Sequence, residues 1–62
     1  MRHEEFETLC RSIGSGGEER VRHIVLHQMG RIIACLPDDM VEVELDNGER
    51  RTWSKDNIAV LH

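Results

Sequence analysis

The sequence predicts a mainly β protein: a five-stranded small barrel preceded by one short amphipathic N-terminal helix. Three observations carry this expectation. Val41, Val43 and Leu45 alternate with Glu42, Glu44 and Asp46, the period-2 pattern of a half-buried strand. Asp46-Asn47-Gly48 follows at once, and Asn and Gly accept the positive φ that a tight hairpin needs. Upstream, Phe6, Leu9, Cys10 and Ile13 fall at i, i+3, i+4 and i+7, one apolar stripe of a helix.

The helix is expected over 3–13. Glu4, Glu5 and Glu7 suit the positive end of its dipole, Arg11 suits the other end, and Gly14 is a natural C-cap. Gly14-Ser15-Gly16-Gly17 reads as a plain flexible connector. It is no phosphate loop, because Glu18-Glu19 follow in place of Lys and Ser or Thr. Val21–His27 reads as a strand, with Val21, His23, Val25 and His27 on one face and Arg22, Ile24 and Leu26 on the other. A helix there, with Val21, Ile24, Val25 and Gln28 on one stripe, is the weaker alternative, since β-branched residues and the short distance to Gly30 favour the strand. Ile-rich 31–36 is the second strand and Pro37-Asp38-Asp39 a turn. The central hairpin follows. Ser54 then caps one helical turn to Asn57, and 58–61 form a closing strand. The organisation is a helix over 1–13, a connector over 14–19 and a barrel over 20–62.

Sixty-two residues make one domain with a thin core and no room for a deep substrate cleft. Eight basic and twelve acidic side chains give a net charge of −4, which disfavours non-specific binding to phosphates. Phe6 and Trp53 are the only aromatics, too few for a base-stacking platform. Met-Arg-His-Glu-Glu at the start has no apolar run behind it, so neither a secretory signal nor a membrane anchor is expected. Two cysteines in such a chain, Cys10 and Cys35, can pair in principle but read as free thiols in a reducing, cytoplasmic setting, each a small core residue.

Residues 21–61 resemble the Src-homology-3-like small barrel in its Tudor and KOW-type versions. The resemblance rests on Gly30-Arg31-Ile32 opening a strand, the Pro37-Asp38-Asp39 turn, the Val41–Gly48 hairpin segment and the turn before Ile58. It implies a binding module for proteins or nucleic acids rather than an enzyme. The chain differs from Tudor domains in lacking an aromatic cage, and from KOW domains in being acidic. A helix ahead of a five-stranded barrel is also similar to the Sm-like arrangement.

Hairpin register decides where Trp53 points. A two-residue Asn47-Gly48 loop pairs Val43 with Thr52 and turns Trp53 outward beside Glu42. A three-residue loop pairs Val41 with Trp53 and turns it inward, but draws Glu49 and Arg51 to the core side. The cost of burying those charges tips the expectation towards an exposed Trp53. The inward alternative stays open.

Candidate sites follow. Phe6, Leu9 and Ile13 on the helix stripe, with Trp53, form the expected contact surface for a protein partner, docking in trans or in a weak homodimer. Arg31, Arg50, Arg51 and Lys55 form a small basic face, the alternative site for RNA or DNA. Glu42 and Glu44 lie across from part of it, so cross-strand ion pairs are the simpler expectation there. His23 and His27 share a strand face but lie about 13 Å apart, and there is no Cys-x-x-Cys or His-Glu-x-x-His, so no metal is expected. No nucleophile has a placed base, and Asp38-Asp39 is a turn pair. A non-catalytic interaction or adaptor module, without cofactor and possessing a regulatory role in a larger assembly, is the functional expectation.

Overall fold

A computed structural model describes residues 2–61. Met1 and His62, the outer limits of the expected helix and barrel segments, lie outside the described residues. The element order is α1 (His3–Gly14), β1 (Glu19–His23), β2 (Met29–Leu36), β3 (Met40–Leu45), β4 (Arg50–Ser54), a 3-10 turn (Lys55–Asn57) and β5 (Ile58–Val60). The strands form one antiparallel sheet in the order β4-β3-β2-β1-β5. Five strands and an N-terminal helix match the expected mainly β class. The ladder is open: β4 and β5 are its two ends and do not pair with each other.

Helix α1 opens without a side-chain cap, with Glu4 and Glu5 in the first turn. It buries Phe6 and Leu9 against the sheet. Gly14 is its last residue rather than its cap. The N–H groups of Ser15, Gly16 and Gly17 donate to the carbonyls of Arg11, Ile13 and Ser12, with Gly16 at φ 90°. A Cβ on Gly17 would sit 2.5 Å from Ser12 Oγ and 2.8 Å from Ser12 O. The expected loose connector is therefore a helix-terminating turn, in which Gly16 takes a φ that side chains rarely adopt and Gly17 an approach that leaves no space for a Cβ.

The core comprises Phe6, Leu9, Val21, Ile32, Val41, Val43, Leu45, Trp53 and Ile58. Cys10, Ile13, Cys35 and Val60 pack around it, partly buried. Strand β3 buries Val41, Val43 and Leu45, as its alternation predicts. Gly30 permits the close approach of β2 to β3: a Cβ there would lie 2.5 Å from Val43 Cγ1 and 2.8 Å from Glu44 O. Asp38 and Asp39 both hold positive φ in the β2–β3 turn (62° and 59°), a conformation Asp tolerates better than most residues.

Between Ile32 and Ala34 the β2–β3 register shifts by one residue, a bulge at Ile33. Ile32 pairs with Val43 before it and Cys35 with Val41 after it. A strict two-residue alternation would set Cys35 on the face opposite Ile32. The bulge turns it to the same side. There it forms a disulfide with Cys10 of α1, the two Cα atoms 5.9 Å apart. This corrects the expectation of free thiols, and with it the argument for a reducing compartment. No helix among the described residues is long and apolar enough to cross a membrane.

The hairpin adopts the three-residue loop. Val41 pairs with Trp53 and Glu44 with Arg50, Leu45 N–H donates to Glu49 O, and Gly48 takes φ 88°. Trp53 is therefore core, 5% exposed, which corrects the expectation of an outward Trp. The penalty that argued against this register is not incurred. Glu49 and Arg51 lie at the hairpin end of an edge strand, stay exposed and pair with each other. Their long side chains carry the charges to water.

Candidate functional site

Each residue of the expected protein-contact surface serves the protein's own core. Phe6 and Leu9 are buried under α1, Trp53 is buried on β4, and Ile13 is partly buried against the same cluster. The Cys10–Cys35 bridge holds the helix stripe there. A stripe spent on its own sheet leaves no apolar face for docking in trans.

The expected basic face is dispersed and neutralised. The outer face of the sheet carries a row Arg20, Arg31, Glu44, Arg50 across four strands, each residue in register with the next. Arg31 reaches Glu44 at 3.0 Å and Glu18 at 3.4 Å, Arg20 reaches Asp46 at 3.4 Å, and Arg50 reaches Glu42 at 3.9 Å. Arg51 pairs with Glu49, and Lys55 lies 3.9 Å from Asp39. Arg31, Arg50, Arg51 and Lys55 thus all face carboxylates, and the Arg31–Glu44 and Arg50–Glu42 pairs are the cross-strand ones expected. A groove of about 490 Å³ beside α1 and the β5 edge is lined by Glu4, Glu5, Thr8, Leu9, Glu19 and Val60.

The feature that the sequence pattern conceals is the β1–β2 connection. Strand β1 ends at His23, four residues earlier than the alternation implies, and 24–26 form a turn. His23 is buried, and its Nδ1 accepts hydrogen bonds from the N–H groups of Val25 (3.2 Å) and Leu26 (3.0 Å). His27 N–H donates to His23 O, His23 N–H to Gln28 O, and Ile24 N–H to Asn57 O at the 3-10 turn. His27 takes φ 57° to close the turn. The His23 ring also meets Trp53 edge to face, centroids 4.9 Å apart. The loop is therefore anchored from the core outward, through one imidazole.

What this anchored loop and the adjoining start of β2 display is apolar. Val25 is 68% exposed, Leu26 56%, and Ile24 and Met29 47% each. Among the described residues, they are the large hydrophobic side chains the fold leaves in water. Arg22 stands beside Met29 on the outer face of the sheet, its cross-strand partner. Among the described residues, Arg22 is the arginine of that face with no carboxylate partner. A signal for the loop exists in the sequence. Ile24-Val25-Leu26 puts apolar side chains on both faces of a supposed strand, and one sheet under one short helix can cover only one face.

No group of three or more His, Cys, Asp or Glu among the described residues could hold a metal ion. Compared with known protein families, curated proteins and solved structures, the chain matches none.

Proposed function

We propose that this protein is a non-catalytic interaction module of adaptor type, built on a Src-homology-3-like small barrel, that engages a protein partner through the β1–β2 loop. The single observation behind this reading is the loop and its border: Ile24, Val25 and Leu26 on the turn and Met29 at the start of β2 lie in water, on backbone whose Val25 and Leu26 N–H groups donate to a buried His23. Apolar surface at this density marks an interaction site on a small domain. A pre-ordered loop loses little entropy on binding, so its contacts convert more fully into affinity. The strand order, with a 3-10 turn ahead of the last strand, is compatible with the small-barrel reading. The nucleic-acid alternative has weaker support, since its four basic residues all face carboxylates on a chain of net charge −4.

The test places a photo-crosslinking residue at position 25 or, as a control, at exposed Thr52. Both proteins are irradiated in extract from the source cells. The reading expects one discrete adduct from position 25, competed away by excess unlabelled wild-type protein but not by Val25→Asp. Equal adducts from both positions, or adducts that both competitors remove equally, would refute it.

A further inference from the structure

We infer that the occupant of the β1–β2 loop is an acidic amphipathic helix of another protein; this rests on the loop being the docking surface. The apolar part of the surface is narrow. Ile24, Val25 and Leu26 sit on one turn, and Met29 follows at the start of β2. A surface of four side chains fits the stripe that one helix presents every three to four residues.

The sign of the partner's charge follows from Arg22. The other outer-face arginines of the sheet are spent on Glu18, Glu42, Glu44 and Asp46. Arg22 is exposed, borders Met29 and has no such partner. An uncompensated cation at the rim of an apolar patch selects a carboxylate opposite it and rejects a second cation. His27 and Gln28, the remaining polar residues of the connection, add no negative charge.

The same residue argues against a second copy as the occupant. A two-fold pairing through so small a patch brings two uncompensated Arg22 guanidiniums into one interface. The chain's own acidic helix cannot be donated either, because Phe6 and Leu9 are buried and Cys10 is bonded to Cys35.

The experiment uses the full chain and two synthetic helical peptides of about 18 residues, or five turns. Both carry one leucine stripe, flanked by glutamates in one and by lysines in the other. Binding is read by fluorescence anisotropy, and the contact surface by amide NMR shifts. The proposal expects saturable binding of the glutamate peptide with shifts over 22–29, at least about tenfold tighter than the lysine peptide. Val25→Asp should abolish this binding. Arg22→Glu should invert the preference. Both substitutions are at exposed positions, and the fluorescence of buried Trp53 verifies folding.

Equal affinity for the two peptides, unchanged by Arg22→Glu but lost in Val25→Asp, overturns the acidic partner and leaves the loop as a docking surface. No binding of either peptide also overturns it, and the cross-linking result at position 25 then decides separately whether the loop docks at all. Binding to vesicles of equal parts phosphatidylcholine and phosphatidylserine through 22–29, in preference to both peptides, would replace the protein partner by a lipid surface.

Discussion

Replacing Cys10 and Cys35 together by serine should remove a large share of the protein's stability. The bridge spans 25 residues of sequence and joins α1 to β2, next to the bulge. Closing a loop of that length withdraws about 3.5 kcal/mol of chain entropy from the unfolded state. A domain of this size holds only about 3–9 kcal/mol in total. At about 4–8 °C per kcal/mol, the midpoint of thermal unfolding should fall by roughly 14–28 °C. Circular dichroism at helix wavelengths and Trp53 fluorescence report the two layers separately. Both should shift together if α1 and the sheet unfold as a unit. Adding a dithiol reductant to the wild type should reproduce the variant's curve. A midpoint shift below about 5 °C, or two free thiols found by alkylation and mass spectrometry of the untreated protein, would refute the reasoning.

Three further outcomes are expected. Gly30→Ala puts a Cβ into Val43 Cγ1 and the Glu44 carbonyl, so urea unfolding should show a loss of about 1–3 kcal/mol from overpacking. His23→Phe keeps a ring beside Trp53 but removes the acceptor for two backbone donors. It should cost about 1–2 kcal/mol, and the Val25 and Leu26 amides should lose hydrogen-exchange protection before the rest of the sheet does. Arg51→Ala breaks an exposed pair with Glu49 and an exposed hydrogen bond to Arg50 O, and should change stability by less than about 1 kcal/mol, which the same urea titration resolves.

Most of the sheet was legible from local pattern. The β3 alternation, the Asp46-Asn47-Gly48 turn, the Ser54 cap and the Phe6-Leu9 stripe all act over a few residues, and each forms where those residues stand. The candidate site was not legible in the same way. Residues 21–27 fit a strand by alternation, and what ends the strand is an imidazole accepting from two N–H groups while packed on Trp53, thirty residues away. The contact residues proposed from the stripe were apolar and well spaced, but spacing does not tell whether a stripe covers its own sheet or another protein's.

The mainly β class with one N-terminal helix could be read from the chain alone, because helix and strand periodicities and turn residues are short-range properties. Three matters depend on packing between elements far apart in the chain. One extra residue at Ile33 turns Cys35 towards Cys10, so that two cysteines that read as separate thiols become a bridge. A three-residue hairpin loop, in place of a two-residue one, takes Trp53 from the surface to the core. Strand β1 ends at His23, whose imidazole accepts from the Val25 and Leu26 amides, so Ile24, Val25 and Leu26 stay outside the core. The first two are matters of register, in which a one-residue step reverses every side chain, and register is settled by what packs across the sheet rather than along it.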